Sequence, residues 1–120
     1  MYDHIGLRVK DLKAAARFYE TVLAPLGFVA GSSGDGYAGF GPKEAPALWL
    51  HAHKGGTGTG VHVCFRAPSR AAVDQFHSTG LKAGAKDNGK PGLRTDYSPK
   101  YYSAFLIDLD GNNIEAVCYK

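Results

Sequence analysis

The feature that most constrains this chain is an internal repeat. His4-Ile5-Gly6-Leu7-Arg8-Val9 alternates in polarity, which predicts a strand with Ile5, Leu7 and Val9 on one face and His4, Gly6 and Arg8 on the other. The pattern returns with an offset of 58 residues, from His4 to His62. Val61-His62-Val63-Cys64-Phe65-Arg66 alternates in the same way, with His62, Cys64 and Arg66 on the polar face. Asp11 and Ser69 share the offset, and each is a residue type that caps a following helix. A repeat can mean an array of small units. Two copies that fill 120 residues instead imply one domain built from two similar halves.

The first half reads as strand, helix, strand, strand, strand. Leu12, Ala15, Ala16, Tyr19, Val22 and Leu23 recur at helical spacing, so a helix is predicted over Leu12–Leu23, ended by Pro25 and Gly27. Short strands are expected at Phe28–Ala30, Tyr37–Phe40 and Ala47–His51, with a loop of Gly, Ser and Asp over 31–36. In the second half Ala72, Val73, Phe76 and His77 mark another helix, ended by Gly80. A weak strand at Ala83–Ala85 and a long loop over 86–100 lead to a hairpin. Its turn lies in the cluster Asp108 to Asn113, where Asp110-Gly111 supplies what a tight turn needs. The expected organisation is a single domain, 1–120, with module one at 1–54, a Gly-rich linker at 55–60 and module two at 61–120.

Composition excludes several classes. Apolar residues make up 44% and charged residues 21%, which suits a globular domain with a real core. No apolar run approaches the roughly 20 residues of a membrane span. Met1-Tyr2-Asp3-His4 has no basic segment leading into an apolar one, so a secretory leader is not expected and the cytoplasm is the default compartment. The net charge of +3 is mild and the basic residues are scattered, so nucleic acid is not an expected partner. Cys64 and Cys118 have no metal-binding spacing.

The residues that invite a chemical reading are histidines and one glutamate. Glu115 interrupts the apolar strand Ile114-Glu115-Ala116-Val117-Cys118. A strand glutamate ordinarily faces water; one turned inward must be paired, hydrogen-bonded or bound to a metal. Each module lays its helix on one face of its own sheet, so the opposite faces, carrying His4, His62 and Glu115, are free to line a shared cavity. His4 and His62 have ordinary readings too, as an exposed strand residue and a hydrogen-bonded core histidine. His51 shares a strand face with Trp49; His53 and His77 are most simply solvent-facing. The 86–100 segment is long for a connection and is either a surface loop or a cover over the cavity mouth.

These residues together resemble the vicinal oxygen chelate superfamily, which includes glyoxalase I, fosfomycin-resistance proteins, extradiol dioxygenases and bleomycin-resistance proteins. The resemblance rests on the doubled βαβββ order, the opening His-Ile-Gly-Leu-x-Val strand, the matching His62, and the ending Asp-Leu-Asp-Gly-Asn-Asn-Ile-Glu. It covers nearly the whole chain. The fold it implies is α+β, glyoxalase-like: two βαβββ modules forming curled mixed sheets around a cavity. It also implies a divalent metal that chelates oxygens of a small molecule. Carried over, the metal ligands fall on His4, His62 and Glu115, a two-histidine, one-carboxylate set suited to Fe, Mn, Ni or Zn. Trp49 occupies the place of a fourth ligand and cannot ligate, which is closer to the fosfomycin-resistance and extradiol patterns than to glyoxalase I. The functions implied are a metal-dependent enzyme of lyase, transferase or dioxygenase type, or a metal-free protein that sequesters a drug as bleomycin-resistance members do.

Trp49, His51, Arg94, Tyr101 and Tyr102 are the expected substrate-binding residues, the aromatic rings as packing surfaces and Arg94 as an anion fork. A small-molecule ligand and a homodimer are expected, because open curved sheets leave faces and edges to cover. The modules can pair within a chain or be exchanged between two chains.

Overall fold

The computed structural model describes residues 1–54 and 60–120, so the expected linker lies outside the described residues except for Gly60. The first module runs β1 (Ile5–Val9), α1 (Leu12–Leu23), a 3-10 turn (Ala24–Leu26), β2 (Val29–Gly34), β3 (Tyr37–Gly41) and β4 (Leu48–Ala52). The second runs β5 (His62–Arg66), α2 (Arg70–Lys82), β6 (Lys86–Leu93), β7 (Tyr102–Ile107) and β8 (Asn113–Cys118). Each module forms one mixed four-stranded sheet, ordered β1-β4-β3-β2 and β5-β8-β7-β6. In both, the first strand pairs in parallel with the last, and the other neighbours are antiparallel.

The repeat extends to the caps. Asp11 accepts from the Ala14 amide and Ser69 from the Ala72 amide, each satisfying a helix-end donor that the helix itself cannot. Each helix lies on one face of its own sheet, and the two helices pack on each other. Gly80 permits the close approach: a Cβ there would sit 2.3 Å from Leu106 Cδ1 and 3.3 Å from Val22 Cγ1. Phe18, Val22 and Leu23 of α1, Val73 and Phe76 of α2, and Leu50 and Leu106 of the sheets fill the core. An apolar cleft of about 150 Å³ lies where the modules meet, lined by Ile5, Leu48, Val63 and Phe65 among others.

A buried polar knot ties the modules together. Asp108, at the end of β7, accepts from the amides of Asp110 (2.9 Å) and Asn112 (2.8 Å), from Asn112 Nδ2 (3.2 Å) and from the Tyr19 hydroxyl of α1. The chain reverses over Gly111 at φ +88, a conformation that favours glycine. Asp110 in turn accepts the Lys10 amide at 3.0 Å, just ahead of α1.

Three local expectations are corrected. The long loop over 86–100 is largely strand: β6 occupies Lys86–Leu93, and its two ladder irregularities fall on either side of Gly89, at Asn88 and at Lys90-Pro91. Only the remainder is a turn, held by Arg94 N to Tyr101 O at 2.7 Å and Tyr97 N to Arg94 O at 2.9 Å. Ala83–Ala85 is not a strand but the turn that follows α2, which runs past Gly80 to Lys82; Gly84 takes φ +107. The Gly-Ser run over 31–36 is strand as far as Gly34, because ladder bonds to β3 override its weak propensity.

Candidate functional site

The site is built on the face of the second sheet turned away from α2. Along β8 the core residues Ile114 and Ala116 face the helix, which puts Glu115 on the opposite face. Its ladder partners are Cys64 on β5 and Phe105 on β7. Glu115 is only 2% exposed although it lies on that open face. Tyr101 covers it, with its hydroxyl 2.6 Å from Glu115 Oε2. Tyr101 is itself braced edge-on by Tyr97 and Tyr119, at centroid distances of 5.2 and 5.3 Å.

His62 meets the other carboxylate oxygen, with Nε2 3.2 Å from Glu115 Oε1. Its Nδ1 is 3.0 Å from the Asn113 carbonyl oxygen. A carbonyl can only accept, so Nδ1 carries the proton, and in the neutral ring Nε2 is left with a lone pair. In the neutral ring that lone pair meets a carboxylate, an arrangement a cation would bridge; in the doubly protonated ring the same contact is an ion pair.

Burial, then the neighbouring Glu115, pushes the Cys64 thiol up to about 12, so the sulfur keeps its proton. The residue is exposed along one side, but its thiol lies against Glu115 and Tyr101. Burial, and then the hydrogen bond to Glu115, also raises the Tyr101 phenol above its ordinary range, so it remains a donor. On the Cys64 and Tyr101 sides the carboxylate therefore meets groups that hold their protons.

The first sheet presents its own open face. Trp49 and His51 alternate with the core residues Leu48 and Leu50, so they lie opposite the helix. Glycines let them lie down on the strands: a Cβ on Gly39 would be 2.6 Å from the Trp49 ring, and one on Gly6 3.5 Å from His51. Tyr37 stands 6.2 Å from Trp49. His4 precedes β1, is largely exposed, and directs Nδ1 at Asp3 Oδ1, 2.6 Å away. With Nδ1 engaged there, Nε2 is the ring nitrogen left for another partner.

Of the residues expected at a metal, the structure brings His62 and Glu115 together and leaves His4 on the other module. No group of three or more His, Cys, Asp or Glu that could hold a metal occurs among the described residues. Of the expected binding residues, Arg94 and Tyr101 stand at the Glu115 face and Trp49 and His51 on the first sheet. Tyr102 does not reach either face. It alternates with Tyr101, packs toward α2, donates to Asp74 Oδ1 at 2.6 Å, and carries Arg70 over its ring at 5.1 Å. His77, expected in solvent, is 7% exposed, with Nε2 2.8 Å from Asp87 Oδ1. Cys64 and Phe105 were less legible as site residues; the signal available was their alternation with His62 and Tyr101.

Two βαβββ modules with open sheet faces, and a histidine–glutamate pair on the first and last strands of one of them, define a glyoxalase-type α+β protein. The chain belongs to the Glyoxalase/Bleomycin resistance protein/Dioxygenase superfamily, which it matches over residues 2–116. It is similar to a glyoxalase/bleomycin resistance protein from Albidiferax ferrireducens T118, with 26% identity, TM-score 0.87, and coverage of 100% of this chain and 99% of that one. A glyoxalase/bleomycin resistance protein/dioxygenase family enzyme from Burkholderia phytofirmans PsJN shares the fold at 18% identity and TM-score 0.77, with 98% of each chain covered. A domain of the same description from Frankia sp. EAN1pec does so at 23% identity and TM-score 0.73, covering 100% and 98%. Comparison with curated proteins gives no match. No helix among the described residues is long and apolar enough to cross a membrane.

Proposed function

We propose that this chain is a divalent-metal-dependent enzyme of the superfamily, acting as a homodimer on a small oxygen-bearing molecule. The observation that carries the reading is the convergence of His62 and Glu115. Nδ1 of the ring is held at the Asn113 carbonyl, which turns Nε2 to within 3.2 Å of Glu115 Oε1. Two donors bound to one ion at about 2.1 Å and near a right angle stand about 3 Å apart, as these do.

Two donors of one chain fit half of a metal site. The third is His4 of a second copy, whose Nδ1 is engaged by Asp3 and whose Nε2 is left to bind. In such a dimer Trp49 and His51 of one chain face Glu115 and Tyr101 of the other, and the exposed Tyr37, Val61 and Tyr119 are covered. Fe(II), Mn(II), Ni(II) and Zn(II) suit the donor set. When bound, the ion supplies Lewis acidity toward a ligand oxygen. Tyr101 holds Glu115 Oε2, fixing which oxygen is free.

A second reading keeps the fold and drops the metal. The rings of Tyr97, Tyr101 and Tyr119, with Trp49 and Tyr37 on the other sheet, are surfaces for an aromatic drug of the kind bleomycin-resistance members bind. Metal analysis and light scattering on protein purified without an affinity tag decide between them. About one ion per chain in a dimer, lost in both His62→Ala and His4→Ala, supports the enzyme reading. A strict monomer, or a dimer that takes up no metal on titration, refutes it.

A further inference from the structure

Arg94 has no role in the scheme above, yet it is the most carefully seated cation on the open face. Its guanidinium lies over the Phe105 ring at 5.5 Å. Phe105 stacks on His62, 6.2 Å between centroids at 24°, and is the ladder partner of Glu115. Arg94, Phe105 and His62 thus form a row across the sheet that ends at the histidine–glutamate pair.

The strand beneath is shaped for this. Glycine inside a strand costs stability and marks a close approach. β6 contains two, Gly89 and Gly92. A Cβ on Gly89 would fall 2.9 Å from Phe105 Cδ1 and 3.3 Å from Arg94 Nη2, and one on Gly92 3.4 Å from Arg94 Nη1. A side chain at Gly89 would crowd both the ring and the guanidinium, while one at Gly92 would only touch the guanidinium. One of its N–H groups is spent on the Lys90 carbonyl, 2.6 Å from Nη2. Among the described residues no carboxylate pairs with it; every ion pair is made by a histidine. A half-buried guanidinium fixed in a plane, with free N–H groups and no counter-ion, is a fork for an oxyanion.

We propose that Arg94 is the oxyanion subsite of this site, and that the ligand is a small carboxylate or phosphonate with a second oxygen at its far end. The row from Arg94 across Phe105 to His62 is longer than one carboxylate, so the second oxygen is the group that reaches His62 and Glu115. The proposal rests on the reading of His62 and Glu115 as the chemical end of the site. Tyr97, 61% exposed beside Tyr101, offers an apolar edge to the body of the ligand.

Titration calorimetry with a matched pair, 4-hydroxybenzoate and its neutral amide 4-hydroxybenzamide, tests it, with 4-hydroxyphenylphosphonate as the phosphonate arm. Each is titrated into Mn(II)-loaded and chelator-treated wild-type, Arg94→Gln and Arg94→Lys protein. The wild type is expected to prefer an anion by at least about tenfold, the scale of one charge-assisted hydrogen bond. Arg94→Gln should abolish that preference and leave Mn(II) affinity unchanged, and Arg94→Lys should keep part of it. Which anion shows the effect identifies carboxylate or phosphonate as the recognised group. Equal binding of acid and amide, a preference that survives Arg94→Gln, or no binding by any probe overturns the proposal. If Mn(II) fails to bind but the Arg94-dependent preference persists, the metal reading falls and the subsite stands. If Mn(II) binds and the preference is missing, the subsite alone falls.

Discussion

Replacing Asp108 tests whether the polar knot at the β7–β8 turn, rather than apolar packing alone, fixes one module against the other. Asp108 is 5% exposed and accepts four hydrogen bonds, from two backbone amides, the Asn112 side chain and the Tyr19 hydroxyl. Asp108→Ala removes all four. It strands Tyr19 and Asn112, both 1% exposed, without an acceptor, and each orphaned buried donor costs about 1–3 kcal/mol. With the loss of turn support the total is about 3–5 kcal/mol, a large share of the roughly 5–15 kcal/mol that holds a domain folded. For a chain of this size that is a fall in Tm of roughly 10–20 °C. Tyr19→Phe removes one donor and leaves three, so it should cost about 1–2 kcal/mol. The two changes share a bond, and the double variant should lose less than the sum. Urea unfolding of the four proteins, followed by circular dichroism, measures each quantity. A loss below about 1 kcal/mol in Asp108→Ala, or strict additivity, refutes the assignment of the knot as the tie between modules.

Other perturbations follow from the same geometry. Burial, reinforced by Asp108, raises the Tyr19 phenol above its ordinary range. A group with a raised native pKa contributes stability below its unfolded value, about 10, and loses it as pH rises. Urea midpoints should therefore decline above about pH 10, and Tyr19→Phe should flatten that decline; parallel profiles would count against it. The Cys64 thiol, pushed up to about 12, should react with a disulfide reagent at pH 8.5 more than about tenfold slower than a free thiol. Glu115→Gln should speed that reaction, and a rate independent of Glu115 would show the wrong cause. Gly80→Ala should destabilise by about 1–3 kcal/mol in urea, since its Cβ must displace the buried Leu106; a neutral result would mean the helices separate freely. Asp3→Asn should weaken metal binding about tenfold with unchanged Tm, because it alters only the group that orients His4; calorimetry with Mn(II) reads this directly.

The halves of the fold that come from local chemistry were legible in the sequence. Alternation at 5–9 and 62–66, the helix over Leu12–Leu23 and the caps Asp11 and Ser69 need only neighbouring residues to be read. What the sequence hid depends on partners far along the chain. β6 carries two glycines and a proline and has no apolar period, and its strand is created by pairing with β7. His77 looks like a surface residue of a helix until Asp87 on β6 arrives beside it. Tyr101 and Tyr102 are adjacent and chemically alike, and only the register of β7 sends one to Glu115 and the other to Asp74. A one-residue shift of that register would exchange their roles.

The same dependence explains why His62 and Glu115 could be named together while the state of the pair could not. The spacing of the repeat puts a histidine at the N-terminal end of the first strand of each half, His4 just ahead of β1 and His62 opening β5, and the parallel pairing of β5 with β8 sets Glu115 opposite Cys64, two residues beyond His62. That much is topology. Whether the pair calls for a cation turns on one hydrogen bond, from His62 Nδ1 to the carbonyl of Asn113. Asn113 is the first residue of β8, and its position follows from the turn that Asp108 closes, since Asp108 N donates to Asn112 O at 2.9 Å. Loosening that turn would move the carbonyl and free the imidazole to present a proton to Glu115 instead. The buried knot that joins the modules and the tautomer that prepares the site are therefore one construction, reached through Asn112 and Asn113. The shared origin is visible in a single variant: Asp108→Asn, which keeps the shape of the side chain and weakens its accepting power, should lower both Tm and Mn(II) affinity. A loss of stability with metal affinity intact would separate the two.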